Sequence, residues 1–302
     1  MNRPPINSHV AQLDEKKKLK ALFAGYGIMS SGMMTQVTKD KFDVAVWSRH
    51  LSTENTSIKN LRDSTDDDFS PDIIIGSFES DEASRQFWTL EWVQDRLTAS
   101  MTCVETSTLS PEWVKEWYQN TKKTSATPVE CPVTGSKYGA LNGTLSAFIY
   151  CEKITDTLTK FLKCTTTECY WFNRLTAPSE FKLLYNAWGI TILSLLGSFG
   201  KEFRTIFAEH SDDRIVAERI LRETGWMAPV MASKYDHVFG TLPTSPEFTL
   251  KMAIKDMELA LPLLTSSKQI VKSTLKKANM AVESCGYGAD YSALARQFTE
   301  SI

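Results

Sequence analysis

Histidine is scarce in this chain: four in 302 residues, at positions 9, 50, 210 and 237. None sits beside a nucleophile motif, so a Ser-His-Asp mechanism has little to build on. The six cysteines, at 103, 131, 151, 164, 169 and 285, form no Cys-x-x-Cys pair. With so few histidines this argues against a Cys/His metal site, and no metal is expected. Scattered thiols suit a reducing compartment, here read as cytoplasmic. A large excess of one charge sign is also missing: the net charge is −2, which leaves no broad basic field for nucleic acid or an anionic membrane. The longest apolar run, near Ile190–Leu196, is far short of the ~20 residues that span a bilayer. No signal-peptide pattern opens the chain; residues 1–18 read as a flexible polar tail with Pro4-Pro5 and Asp14-Glu15-Lys16-Lys17-Lys18. The acidic run Asp63–Asp68 reads as a solvated loop, and there is neither a solenoid-period repeat nor a low-complexity segment.

What remains is ordinary globular composition, 42% hydrophobic and 23% charged, with length enough for one large or two moderate domains. Residues 19–49 carry the sharpest pattern. An apolar run, Leu22-Phe23-Ala24, enters Gly25-Tyr26-Gly27, followed by Ile28-Met29-Ser30-Ser31-Gly32-Met33-Met34 and then Val44-Ala45-Val46-Trp47. This is strand, glycine turn, helix, strand. In such a unit the first glycine makes the turn, and the second lets a pyrophosphate approach the helix N-terminus. Ser30 stands where a third glycine is usual, giving GxGxxS.

Further strand-like runs at 72–77, 102–106, 128–136 and 143–150 alternate with helical ones at 84–96 and 112–119. Ser110 is placed to cap the second helix and Pro111 to occupy its first turn. The tryptophans at 88, 92, 113 and 117 have i, i+4 spacing and read as packing anchors. This alternation predicts a largely parallel sheet with helices on both faces. Beyond about residue 177 the strand signal fades. Helical patterns cover 179–206, 213–223, 248–264 and 267–283, with Gly189, Gly197 and Gly200 marking candidate close approaches in the first.

Two features point to redox chemistry. Lys182 and Asn186 are i, i+4, so one helix face presents an ammonium and an amide to a common point. A carbonyl receiving hydride develops negative charge on oxygen, and lysine can stabilise it or donate the proton. At the end of the second strand, Trp47-Ser48-Arg49-His50 holds no acid to grip a ribose 2′-hydroxyl, whereas Arg49 can pair with a 2′-phosphate. The expected cofactor is therefore NADP(H).

Taken in order, the segments Gly25–Met33, Ser107-Thr108-Leu109-Ser110-Pro111, Pro132-Val133-Thr134-Gly135…Gly143-Thr144-Leu145, Phe181-Lys182-Leu183-Leu184-Tyr185-Asn186 and Phe248…Lys255-Asp256-Met257 resemble the β-hydroxyacid dehydrogenase family. That family includes 3-hydroxyisobutyrate dehydrogenases and glyoxylate/succinic semialdehyde reductases, with imine reductases as distant relatives. The resemblance covers roughly residues 20–300. It implies a Rossmann dinucleotide-binding domain (19–178), a long interdomain helix and an all-α substrate and dimerisation domain (179–302), commonly in homodimers or homotetramers. It implies Lys182 as the catalytic residue and Asn186 as its companion. Ser107, Thr134, Gly135 and Lys255 would bind a small-molecule substrate. Gly25, Gly27, Ile28, Met29, Ser48, Arg49, Ser107 and Lys255 would bind the cofactor. Threonine at 134 replaces the usual serine, Ser136 replaces a usual glycine, and Ser48 and His50 replace the outer members of the family's Asn-Arg-Thr. The expected function is NADP-dependent hydride transfer to or from a small β-hydroxyacid or its semialdehyde. The alternatives are an imine reductase, against which Lys182 argues, and a non-catalytic NADP-binding interaction module. Trp226, Met227 and Tyr235 are candidate pocket residues for which core packing is the simpler reading.

Overall fold

The computed structural model describes residues 18–40, 42–49, 51, 58–62 and 69–296. The tail before Lys18, His50 and the acidic run Asp63–Asp68 lie outside the described residues. The chain divides between Lys182 and Leu183 into two compact units.

The first unit runs β1 (Lys20–Ala24), α1 (Ile28–Lys39), β2 (Asp43–Trp47), β3 (Lys59–Asn60), β4 (Ile73–Gly76), α2 (Asp81–Trp88), α3 (Glu91–Gln94), β5 (Thr102–Glu105), α4 (Pro111–Lys123) and β6 (Thr127–Glu130). These six strands form one sheet in the order β3-β2-β1-β4-β5-β6, and every pairing is parallel. The strands read as nearly unbroken apolar runs because both faces are covered. Ala21, Phe23, Ile73 and Ile75 enter one core, while Leu22, Ala24 and Ile74 enter the other. This is the period-two alternation of a strand buried on both sides.

A smaller sheet follows, built from β7 (Val133–Thr134), α5 (Ser136–Asn142), β8 (Leu145–Ile149), α6 (Asp156–Thr165) and β9 (Thr166–Trp171). β7 pairs antiparallel with β8, which pairs parallel with β9. The run 128–136 is therefore not one strand. It breaks at Cys131-Pro132, with β6 in the large sheet and β7 in the small one. The helix expected over 84–96 is also broken. Thr89 closes α2, its hydroxyl donating to the Arg85 carbonyl at 2.8 Å, and Leu90 is extended. Ser110 does cap α4, its Oγ accepting from the Trp113 amide at 3.2 Å with Pro111 in the first turn. Trp88, Trp113 and Trp117 are buried, as packing anchors should be.

Near the end of this unit α7 begins (Ala177–Ile206). The buried Glu130 carboxylate holds its start, accepting from the Thr176 amide (2.8 Å), the Ser179 amide (2.9 Å) and Ser179 Oγ (2.6 Å). A carboxylate on the otherwise unpaired N–H groups of a helix start also meets the favourable end of the dipole.

The second unit is helical: the rest of α7, then α8 (Asp212–Glu223), α9 (Met227–Phe239), α10 (Leu250–Ala260) and α11 (Lys268–Cys285). Leu183, Ala187 and Ile190 pack with Leu250, Ala253, Ile254, Met257, Leu275 and Ala278. Gly197 and Gly200 mark close approaches, since a Cβ on them would strike Ala295 and Val238, whereas Gly189 faces open space. α9 is an element the sequence pattern did not reveal, and Trp226 just before it is 81% exposed, so it is not a core residue. Among the described residues α7 is long and apolar enough to cross a membrane by length and composition alone, although its unbroken apolar run is short. Core helices of soluble proteins share those properties, and Leu183, Ala187, Ile190 and Leu193 are buried.

Candidate functional site

The turn after β1 is built for an approaching anion. Gly25 has φ +96°, and a Cβ there would fall on the Ser77 carbonyl oxygen, so only glycine fits. Gly27 caps α1 with nothing within 4 Å of where its Cβ would be. The space a side chain would fill is open, and the first-turn amides of Ile28, Met29 and Ser30 have no i−4 carbonyl to bond. These donors and the helix dipole suit a phosphate.

Ser30 accounts for its own departure from the glycine pattern. It is buried, and its Oγ accepts from the Gly27 amide at 2.8 Å and lies 3.3 Å from the Gly27 carbonyl. The hydroxyl thus closes the turn as the N3 half of a capping box. A separate close approach, of α1 to α5, lies two residues on. A Cβ on Gly32 would lie 2.7 Å from both the carbonyl carbon and Cβ of Ala140.

At the end of β2, Ser48 is buried and Arg49 exposed. The Asn60 carboxamide clamps this corner. Its Oδ1 accepts from the Ser48 amide (3.2 Å) and the Arg62 amide (3.2 Å), and its Nδ2 donates to the Ser48 carbonyl (2.8 Å). Arg49 therefore leaves a backbone fixed by a neighbouring strand, at the carboxyl edge of the sheet where ligands of this topology bind.

Ser107 follows β5 and is buried, with its hydroxyl already engaged. Oγ accepts from the Phe78 amide at 2.6 Å and bonds Glu105 Oε1 at 2.5 Å. Thr134 ends β7, and the next residues turn sharply: Gly135 has φ +135° and Ser136 has φ +60°. The position where a glycine is usual is thus a left-handed one, which a serine occupies under strain.

On α7, Lys182 is only 6% exposed, an unusual burial for an ammonium. Asn186 lies one helical turn further on, beyond the boundary between the units. In the second unit its Nδ2 donates to Asp256 Oδ2 at 2.6 Å. Lys255 pairs with the same carboxylate, its Nζ 2.9 Å from Oδ1 without the alignment of a hydrogen bond. Asp256 is 1% exposed and is a candidate site residue that sequence reasoning passed over, since Lys255-Asp256 taken alone reads as a solvated pair. The signal was available: Asp256 falls among Ala253, Met257 and Ala260 on the buried stripe of α10, where a charge needs a partner.

A six-stranded parallel sheet in this order, with a glycine turn and open helix N-terminus where the strand order reverses between β1 and β4, defines a dinucleotide-binding protein of the Rossmann class. The model of the NAD-binding domain of 6-phosphogluconate dehydrogenase matches residues 20–172, and the chain belongs to that family. This agrees with the resemblance to β-hydroxyacid dehydrogenases. No curated protein matches the sequence.

Solved structures share the fold at low identity. Psf3 in complex with NADP+ and 2-OPP is 18% identical with a TM-score of 0.73, covering 91% of this chain and 98% of that one. A 3-hydroxyisobutyrate dehydrogenase from Salmonella typhimurium is 14% identical with a TM-score of 0.72, covering 92% and 99%. An imine reductase from Myxococcus stipitatus in complex with NADP+ is 16% identical with a TM-score of 0.53, covering 93% and 100%.

Proposed function

We propose that the protein is an NADP(H)-dependent oxidoreductase that interconverts a small β-hydroxyacid and the corresponding semialdehyde. The observation that carries this reading is the buried Lys182, one helical turn from an Asn186 whose amide Asp256 holds in place. The residues present fit the cofactor. The open space at Gly27 and the amides of Ile28 and Met29 would take the pyrophosphate beside Gly25, and Ser48 and Arg49 would take the 2′-phosphate. The NADP+ held by Psf3 and by the imine reductase supports the same cofactor here.

When bound, the nicotinamide supplies or accepts the hydride. Lys182 then gives a proton to the substrate oxygen as negative charge develops there, and takes it back in the oxidative direction. Burial strengthens the field of its ammonium at that oxygen. Asn186 spends one amide hydrogen on Asp256 and keeps one for the substrate. In the first unit Thr134 and Gly135 would receive the substrate carboxylate and Ser107 would contact bound ligand; in the second, Lys255 is the lysine that the resemblance assigns to ligand binding.

We also infer a cytoplasmic homodimer. Trp188 (66% exposed), Ile192, Leu195 and Phe199 (72% exposed) recur along α7 at a spacing that makes one apolar stripe. A second copy of the helix would cover it. Sedimentation of a monomer at micromolar concentration would overturn that assignment.

The function is tested by following NADPH absorbance across a panel of semialdehydes, keto acids and cyclic imines. Turnover of a semialdehyde bearing a carboxylate is expected. Turnover of cyclic imines alone would move the assignment to imine reduction. Tight NADPH binding with no turnover across the panel would make the protein a binding module.

A further inference from the structure

Glu105, at the end of β5, is a fully buried carboxylate saturated with donors. Its Oε2 accepts from Ser84 Oγ (2.8 Å) and Trp88 Nε1 (2.8 Å). Its Oε1 accepts from the Ser107 amide (3.2 Å) and Ser107 Oγ (2.5 Å). Behind Ser84, Trp113 Nε1 donates to the same Oγ at 2.9 Å, which leaves the Ser84 hydrogen for Glu105. Gly76 closes the remaining side, where a Cβ would lie 2.8 Å from Oε2 and 3.0 Å from Oε1. Four donors matched to four lone pairs describe an ionised carboxylate with no capacity left. Burial pushes this carboxyl above the usual range, and the same donors offset part of that rise.

The consequence falls on Ser107. A hydroxyl has one hydrogen and two lone pairs. The Phe78 amide can only donate, so it takes one lone pair of Ser107 Oγ. The carboxylate can only accept, so it takes the hydrogen. One lone pair remains. We infer that Glu105 is a positioning residue that fixes the Ser107 hydroxyl as an acceptor, so that Ser107 selects a donor on the bound ligand, a hydroxyl or an amide N–H, and not a carboxylate. This rests on the reading that Ser107 contacts bound ligand. It narrows that reading, because the group that Ser107 holds is then a ribose or substrate hydroxyl or the nicotinamide carboxamide. The substrate carboxylate is left to Thr134 and Gly135.

Glu105→Gln tests this at constant shape. The carboxamide nitrogen donates to Ser107 Oγ and turns the seryl hydrogen toward the ligand. NADPH affinity and substrate KM are measured for the parent, Glu105→Gln, Ser107→Ala and the double variant. Each single change is expected to weaken NADPH binding or raise KM about tenfold, the scale of one hydrogen bond. The double variant is expected to match Ser107→Ala alone in ligand affinity, because Glu105 reaches the ligand only through the hydroxyl, while its bonds to Ser84, Trp88 and the Ser107 amide serve the fold. Additive losses would reduce Glu105 to a structural role, and an unchanged Ser107→Ala would remove Ser107 from the ligand; either overturns the proposal. Should Glu105→Gln fail to fold, Ser84→Ala takes its place, with a smaller loss that must also vanish when combined with Ser107→Ala. A parent protein that neither binds NADPH nor turns over substrate would instead defeat the functional reading itself.

Discussion

Alanine at Gly27 and alanine at Gly32, five residues apart in one motif, should fail in opposite ways. Gly27 has φ −118° and ψ −170°, which any residue adopts, and its missing Cβ meets nothing within 4 Å. Gly27→Ala should therefore cost less than about 1 kcal/mol of stability, the most expected from exchanging glycine for a poorer N-cap. The new methyl, however, enters the open space at the helix start through which a phosphate would approach the first-turn amides. Holding a phosphate away from one of these charge-assisted bonds forfeits about 1.5–3 kcal/mol, or roughly ten- to a hundredfold in NADPH affinity. At Gly32 the added methyl lies 2.7 Å from Ala140 Cβ and from its backbone, and 2.8 Å from the Leu141 amide. Backbone cannot rotate away, so α1 and α5 must part, at the roughly 1–3 kcal/mol of an overpacked core. Thermal unfolding with and without NADPH separates the two. Gly27→Ala should keep the parent midpoint and lose most of the upward shift that ligand gives. Gly32→Ala should melt earlier and retain a shift. An undiminished NADPH shift in Gly27→Ala would refute the cradle, and a Gly32→Ala midpoint equal to the parent's would refute the close approach.

Lys182→Ala should lower kcat by about 10²–10⁴-fold, the usual worth of a general acid, while NADPH affinity measured by fluorescence stays near the parent value; retained turnover would remove Lys182 from the chemistry. Arg49→Asp should weaken NADPH far more than NADH, and a parent enzyme that prefers NADH in kcat/KM would refute the cofactor assignment. Ser136→Gly should raise stability by about 1 kcal/mol by relieving the left-handed φ of +60°, seen as a higher denaturation midpoint; no gain would mean that the turn carries no strain.

Much of the fold was legible because its signals are local. The β1–α1–β2 unit announces itself through an apolar run, a glycine turn and a second apolar run. Ser110-Pro111 opens α4 by its own side chain. What stayed hidden depends on contacts distant in sequence. The break at Cys131-Pro132 separates two strands that read as one, because only pairing shows that Thr127–Glu130 follows β5 while Val133 pairs with Ala147 on β8. α9 escaped because its apolar residues do not repeat cleanly along one face. At the site, Lys182 and Asn186 were legible as an i, i+4 pair, but Asp256 lies seventy residues further on. Glu105 was read as part of a strand and nothing more. A strand pattern gives its burial and says nothing of the Ser84, Trp88 and Ser107 donors that make the burial tolerable.

Three of the departures from the family pattern, at residues 30, 134 and 136, are physically different. Ser30 carries its own compensation, since its hydroxyl closes the turn at Gly27. Thr134 keeps a hydroxyl at the end of β7 and adds only a methyl to a partly exposed position. Ser136 alone is uncompensated, a β-carbon held at φ +60° directly after Gly135. Strain of this kind persists only where the surroundings enforce it. A serine held there marks a turn whose shape the neighbouring residues impose, at a cost of roughly 1 kcal/mol relative to glycine. The loop ends at Thr134 and Gly135, the residues assigned to the substrate carboxylate. If that assignment holds, Ser136→Gly should gain stability and lose substrate affinity together, because a relaxed loop no longer holds Thr134 Oγ1 in one place. A more stable variant with an unchanged KM would separate the strain from substrate binding.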